Sequence, residues 1–373
     1  MSSHRSINFL RSLSNRLLIL RTAIMCESSS IKRARRSFVN PIVQGLVSLL
    51  ILVILYGCEV SVYKTFQGDT MGTYYRVVGN CGSPISYQML QKELGSITSV
   101  LSTYDSESEV SLFNRSESVG EWVPAHETLV KVLSTAQQVS EQTSGAFDVT
   151  VAPLVELWGF GIREVTQPPS SESIKRELRR VNYKLLELDE SNNALRKLSN
   201  IKLDLSGIGK GYGVDHIAEF LVKQRCSNYL IDIGGEIRVR GHNALSNSWR
   251  IGIEEPDGTG QSKVYLNLSS GALATSGSYR NFRIYDETPY PHLIDPRSGY
   301  PTSHNLTAVT VYRSTATEAD AVATALFVMG FDDALEFAES HDVAVALTTW
   351  DSEFEKSRTS YSTAMNNLIK KGN

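Results

Sequence analysis

The chain has no dominant charge of one sign, since 37 lysines and arginines against 40 aspartates and glutamates leave a formal net charge of -3 over 373 residues. Beyond the N-terminus no lysine- or arginine-rich stretch stands out, which argues against nucleic acid as a partner of the folded part. Tandem repeats and low-complexity blocks are also missing, so neither a repeat array nor a biased tract has to be accommodated. Cysteine is scarce, with Cys26, Cys58, Cys81 and Cys226 making up the 4 in the chain. What is present in quantity is apolar: at 41% hydrophobic residues the chain can bury a sizeable core, as two domains or one large one.

The N-terminus differs in kind from the rest. Lys32, Arg33, Arg35 and Arg36 form a basic cluster, and "PIVQGLVSLLILVILYGC" follows it directly. A basic n-region and an apolar run from Ile42 to Tyr56, short for a membrane span, read as a secretion signal. Leu55, Gly57 and Cys58 fit a bacterial lipobox, with Tyr56 bulkier than that pattern usually has, so Cys58 is the expected lipidated N-terminus of the mature protein. The alternative is an anchor helix in which Cys58 is incidental. Either way the remainder is exported, and the expected location is the periplasmic side of the inner membrane. The residues before Lys32 are too many for an ordinary n-region, so Met25 competes with Met1 as the start. In an oxidising compartment Cys81 and Cys226 could form a disulfide or remain separate thiols.

From Val62 onward strands and helices mix. Helical spacing runs through Met89, Leu90, Leu94, Ile97 and Leu101, and again through Leu129, Val132, Leu133 and Ala136. "NYLIDIGGEIRVRG", "WRIGIEEP", "KVYLNLS", "LTAVTVYR" and "VAVALTTW" are short, β-rich and bounded by turn residues. Turns separate most of them, so an α+β fold with mixed and antiparallel sheets and packed helices is expected, and not a doubly wound sheet. "QPPSSES", Gln167 to Ser173, reads as a surface loop and a candidate subdomain division.

Three readings are open for "LDLSGIGKGYGVD", Leu203 to Asp215. Its glycines and Lys210 could cradle a phosphate ahead of a helix; it could be a plain Gly-rich turn from strand to helix; or it could give backbone carbonyls to a metal. It has neither the phosphate-loop spacing Gly-x-x-x-x-Gly-Lys-Ser/Thr nor the dinucleotide fingerprint Gly-x-Gly-x-x-Gly. In "TATEADAVATALFVMG", Asp320 and Thr324 are four apart, so a carboxylate and a hydroxyl share one helix face as oxygen donors for a hard cation such as Mg2+. Against this, Thr317 and Asp320 fit a capping box, in which Asp320 only satisfies the helix start. His292, in "PHLIDPRSGYP", is a structural histidine or a base for a hydroxyl nucleophile. Phe147 and Trp158 could stack on a flat ring and Asp148 hydrogen-bond to one, although such aromatics commonly belong to a core.

Together these strings resemble the ApbE family of FAD:protein FMN transferases. The resemblance runs in order from "TMGTYYRV" through "LSTYDSESEVSLFN", "GAFDVTVAPLVELWGFG", "LDLSGIGKGYGVD", "YLIDIGGEIRVRG", "WRIGIEEP", "ATSGSYRNF" and "HLIDPRSGYP" to "EADAVATALFVMG". It implies an Mg2+-dependent enzyme that cleaves the FAD diphosphate, transfers FMN to a threonine or serine hydroxyl of an exported protein, and releases AMP. Acceptors of the family are typically respiratory electron-transfer subunits. By the same resemblance Met71, Tyr104, Ala146, Phe147, Asp148, Asp204, Lys210 and Ile294 bind FAD. Gly207 through its carbonyl, Asp320 and Thr324 hold the metal, and His292 is the catalytic base. Ala152 stands where the family frequently has glycine, and Gly207 where it has alanine. The implied organisation is an extension, signal and lipobox over 1–58, a tether over 59–69, an ApbE-like FAD-binding domain over 70–350 and a C-terminal tail over 351–373. Rival readings are an FAD pyrophosphatase giving FMN and AMP, and a lipoprotein that binds FAD without turnover.

Overall fold

The computed structural model describes residues 62–162, 165–254, 262–278, 282–351, 353 and 356–372. These belong to one compact unit, Ser61–Asn373. The basic cluster, the apolar run and Cys58 lie outside the described residues. Among those described, no helix is long and apolar enough to cross a membrane.

A hairpin opens the fold. Strands β1 (Lys64–Thr70) and β2 (Thr73–Cys81) join through Met71 and Gly72, at φ 48° and 71°, the left-handed pair that a tight two-residue hairpin turn requires. There follow α1 (Tyr87–Leu101), α2 (Glu109–Arg115), β3 (Val123–Pro124), α3 (Glu127–Gln142), α4 (Ala152–Leu157), α5 (Ser171–Leu178), β4 (Leu186–Asp189), β5 (Ala194–Lys197) and α6 (Gly209–Lys223). The second half is strand-rich: β6 (Cys226–Ile233), β7 (Glu236–Arg240), β8 (Trp249–Glu254), β9 (Ser262–Leu268), β10 (Ser270–Gly277), β11 (Phe282–Tyr285), β12 (Thr288–Pro291) and β13 (Leu306–Arg313). Helices α7 (Ala316–Met329) and α8 (Phe331–Ser340), strands β14 (Ala344–Asp351) and β15 (Lys356–Tyr361), and α9 (Thr363–Gly372) complete it.

Eight strands form the main sheet in the order β1-β2-β6-β7-β10-β13-β14-β15, and every ladder among the described strands is antiparallel. This is the α+β architecture read from the sequence. The pleat sends alternate residues to opposite faces. Ile231, Ile233, Val345 and Leu347 meet the helices on one side, whereas Leu230, Leu273, Ala344 and Ala346 meet the β8–β9 hairpin and α9 on the other. Helix α7 is apolar almost all round, and Ala319, Val322, Ala323 and Leu326 are fully buried, as expected for a central helix.

Three expectations about boundaries change. The presumed tether over 59–69 contains most of β1, because Lys64–Thr70 pairs along its whole length with β2. The presumed tail over 351–373 contains β15 and α9, and Met365 is fully buried in the core that the β8–β9 hairpin and α9 form on the main sheet. The loop read over 167–173 gives way to a helix at Ser171, where the Ser170 hydroxyl accepts the Ser173 N–H at 3.2 Å, the N-cap that a serine cluster supplies.

Cys81 and Cys226 form a disulfide between β2 and β6, across 145 residues of chain.

Candidate active site

The Gly-rich segment runs along one face of α7. An added Cβ at Gly207 would sit 3.1 Å from Thr324 Oγ1, and one at Gly211 would overlap the Ala316 carbonyl oxygen and sit 2.8 Å from Asp320 Cβ. Positions 207 and 211 are four apart, as are 324 and 320, so the two stretches pass each other in matched register. Glycine is required because a side chain at Gly211 would push α6 off α7. The Gly211 N–H donates to Asp320 Oδ2 at 3.0 Å. Thr324 Oγ1 also lies 3.0 Å from Ser276 Oγ on β10.

The capping reading of Asp320 does not hold. Helix α7 begins at Ala316, with Thr315 as N-cap accepting the Glu318 N–H at 3.4 Å, so Asp320 lies beyond the first turn. Asp215 of α6 completes the cap from outside, its Oδ1 accepting from Ala316 N at 2.9 Å and its Oδ2 from Thr317 N at 2.8 Å. Arg238 in turn donates to Asp215 Oδ1 at 2.7 Å.

A buried charge cluster lies at the α6 start. Lys210 Nζ is 3.3 Å from Glu236 Oε1, with the lysine side chain 30% exposed and the glutamate 3%. Burial works against the Lys210 charge, but the Asp320 and Glu236 carboxylates outweigh it and hold the ammonium above the ordinary lysine range. Burial pushes the Glu236 carboxyl up to about 8, with Lys210 pulling the other way. Asp320 is raised by burial as well, opposed by Lys210 and by the Gly211 N–H.

Phe147 joins this cluster from the other side, its Cε2 3.2 Å from a Cβ added at Gly207. Ala146 and Phe147 are buried. Both carboxylate oxygens of Asp148 are committed to the chain: Oδ1 accepts from Thr150 N and Thr150 Oγ1, each at 2.7 Å, and Oδ2 from Tyr183 N at 2.7 Å. Asp148 therefore shapes the turn that carries Phe147. Asp204 is tied to the same turn by its N–H to Val149 O at 2.7 Å, while its Oδ1 accepts from Ser206 N at 2.8 Å. Met71 leans onto α6, where a Cβ on Gly213 would lie 2.9 Å from Met71 Cε. Its positive φ is uncommon for a side chain of that size.

His292 stands apart in construction. It follows β12 directly and lies edge-on to Phe160, ring centroids 6.4 Å apart. The β11–β12 hairpin is anchored by Tyr285 Oη to Trp158 O and Arg283 Nε to Gly159 O, both 2.9 Å. Trp158 Nε1 donates to Gly299 O at 2.9 Å. Ile294 is buried beside Trp158 in one apolar cluster, so Trp158 is a packing residue. The 295–300 turn reaches back to the turn that carries Phe147, Arg297 Cγ lying 4.0 Å from a Cβ on Gly145. Tyr104 is 74% exposed on the 102–108 loop and has no side-chain contact of its own with the cluster among the described bonds. That loop is linked to the site through α2, where Asn114 Nδ2 and Oδ1 bracket Leu203 O and N at 2.8 and 2.7 Å.

Asn114, Asp215, Glu236 and Ser276 were not found from the sequence. Asp215 closes the Gly-rich string and Glu236 follows Gly234-Gly235, so their positions carried a signal; Asn114 and Ser276 carried none. An apolar cavity of about 330 Å³ between α2 and the β3–β5 strands is lined by Leu112, Phe113, Val123 and Lys197, and none of the expected site residues borders it.

The ApbE family model matches residues 71–347. The chain belongs to the ApbE family. A relative from Haemophilus influenzae, an FAD:protein FMN transferase, is 34% identical over 319 residues, covering 82% of this chain and 92% of its own. One of the same name from Vibrio cholerae is 36% identical over 313 residues, covering 81% and 92%. Among solved structures, the flavin transferase ApbE from Vibrio cholerae superposes with a TM-score of 0.75 at 32% identity, covering 83% of this chain and 99% of the other. The ApbE protein from Thermotoga maritima gives 0.74 at 30% identity, with the same 83% and 99% covered.

The oxygen donors suit a hard cation. Among the described residues no group of three or more His, Cys, Asp or Glu side chains could hold a metal. An ion here would rely on one carboxylate, Asp320, together with the Thr324 hydroxyl and the Gly207 carbonyl, a set that favours Mg2+ over softer metals. Burial raises both the Asp320 and Glu236 carboxyls, and a cation there would favour their ionised forms.

Proposed function

We propose that this ApbE-family chain transfers FMN from FAD to a threonine or serine hydroxyl of an exported protein, releasing AMP. The observation that carries it is the matched register of Gly207 and Gly211 with Thr324 and Asp320, beside Phe147 and Lys210. It puts backbone, ammonium and hard oxygen donors where a diphosphate and a flat ring can be held together.

Lys210 and the N-terminal amides of α6 would bind the diphosphate, with Met71, Tyr104, Ala146, Phe147, Asp204 and Ile294 lining the remainder and Asp148 fixing the turn beneath. A Mg2+ ion held by Gly207, Asp320 and Thr324 would supply charge neutralisation at the diphosphate. His292 takes the proton of the acceptor hydroxyl as its oxygen bonds to the FMN phosphorus. The bond from that phosphorus to the bridging oxygen breaks, and AMP leaves with that oxygen. The Cys81–Cys226 disulfide supports an oxidising compartment, and the lipobox supports anchoring through Cys58 at the periplasmic face of the inner membrane.

The test mixes the purified protein with FAD, Mg2+ and candidate exported proteins, and reads in-gel flavin fluorescence together with AMP. Acceptor-dependent AMP matched by a fluorescent acceptor is expected. AMP release indifferent to acceptor would make the protein a pyrophosphatase, and FAD surviving intact with Mg2+ would make it a binder only.

A further inference from the structure

Lys210 has a partner that no role yet accounts for. Resting on the reading of Lys210 as a contact of the FAD diphosphate, we propose that Glu236 is a positioning residue, fixing where the Lys210 ammonium stands before the nucleotide arrives.

Glu236 is suited to hold something still. It opens β7 right after the Gly234–Gly235 turn, at φ 63° and 105°, and that turn is locked by the Gly235 N–H to Asp232 Oδ1 at 3.0 Å. Strand β7 is paired on both sides, to β6 and to β10. The side chain is 3% exposed, Oε1 lies 3.3 Å from Lys210 Nζ, and Oε2 has no hydrogen-bond partner among the described residues. A carboxyl so buried is costly as a charge unless its partner is charged and close, and Lys210, 3.3 Å away, is the group that favours its ionised form.

Asp320 does not substitute for it. Asp320 Oδ2 already accepts the Gly211 N–H, and Asp320 is the charged ligand assigned to the cation. Two carboxylates thus bracket the first turn of α6 from two different elements. The one on α7 takes the backbone of residue 211, and the one on β7 takes the side chain of residue 210. A lysine has four flexible carbons and a strongly hydrated head, so without a fixed counter-charge it loses entropy each time it is recruited to a phosphate.

The experiment is a double-mutant cycle on FAD binding, with FAD titrated by flavin fluorescence in EDTA so that no turnover consumes it. Glu236→Gln and Lys210→Met are made singly and together, and thermal melts fix the folded fraction of each. Glu236→Gln is expected to weaken FAD about tenfold, the scale of one hydrogen bond to a charged group. In the Lys210→Met background the same change weakens FAD less than about twofold, the non-additivity of residues acting through one another. Equal weakening in both backgrounds, or no weakening by Glu236→Gln where Lys210 is intact, overturns the proposal. If Glu236→Gln does not fold, Glu236→Asp, which keeps the charge one methylene short of Lys210, replaces it with the same expected pattern. Unchanged FAD affinity in Lys210→Met alone removes the reading of Lys210 as an FAD contact, and the proposal with it.

Discussion

The two parts of the candidate site are built in opposite ways. At the α6–α7 crossing, polar groups are buried and locked to each other: Asp320 to Gly211, Asp215 to Ala316 and Thr317, Lys210 to Glu236. Around His292 the support is apolar, a small two-stranded sheet stacked on Trp158 and outside the main sheet. A preorganised polar crossing suits a ligand that is always the same, a nucleotide diphosphate, whereas a half-buried histidine on a peripheral hairpin suits an incoming protein of varied surface. Binding and stability should therefore depend on the crossing, and the transfer step on the hairpin.

The largest expected effect sharpens that contrast. His292→Ala should lower single-turnover transfer roughly a hundredfold to ten-thousandfold, about 3 to 5 kcal/mol, with FAD affinity unchanged by fluorescence titration. Transfer at the parental rate in the folded variant would remove His292 as the base. Asp320→Ala should abolish Mg2+-dependent turnover and also destabilise the fold by about 1 to 3 kcal/mol, because it leaves the Gly211 N–H buried without an acceptor. A variant that melts at the parental temperature would separate the ligand role from the structural one.

Next in size is the disulfide. Replacing Cys81 and Cys226 by serine should cost about 2 to 5 kcal/mol in denaturant unfolding with transfer per folded molecule intact, since the bond lies at the far end of β2 from the Met71 turn. A loss of transfer rate at saturating FAD would show that the main sheet communicates with the hairpin. Gly211→Ala follows, at about 1 to 3 kcal/mol, because the methyl meets backbone and the helices must part. Its FAD affinity should fall with its stability, and preserved affinity would break the link between crossing and ligand.

The smallest effect is a pH dependence away from both regions. His304 packs on Phe327 with ring centroids 5.1 Å apart, and burial lowers its pKa below the usual 6.5, opposed by nearby backbone groups. A depressed histidine is neutral in the fold while the unfolded chain takes up a proton, so stability is full above about pH 6.5 and is lost as pH falls toward the folded pKa. His304→Phe should flatten the fall of chemical stability as pH drops below about 6.5. An unchanged slope would assign the acid sensitivity elsewhere.

Much of this was legible because it is periodic or ordered along the chain. The apolar faces of α1 and α3 gave their elements directly, and the succession of motifs gave the family. The capping box that rivalled the metal-ligand reading of Asp320 arose for a local reason. Thr317 and Asp320 have capping-box spacing, but Thr315 starts the helix two residues earlier, and Asp215, more than a hundred residues away in sequence, finishes the cap. Long-range partners of that kind leave no spacing signal. Glu236 is the same case: the glycines before it mark a turn, but its pairing with Lys210 exists only once β6 and β7 bring the two together. The C-terminal residues were read as a tail, yet Met365 is fully buried and Tyr361, Ala364, Leu368 and Ile369 pack against the same core.

That last helix has a bearing on how the molecule is made. The core between the β8–β9 hairpin and the main sheet includes Trp249, Ile251, Leu266 and Met365, and β15 supplies the sheet's final edge. Synthesis proceeds from the N-terminus, so this core stays open until β15 and α9 have left the ribosome. Until then the apolar faces that α9 covers remain exposed, and the nascent chain depends on staying unaggregated. The same arrangement makes the C-terminus a poor place for a bulky fusion and a short truncation there a route to aggregation.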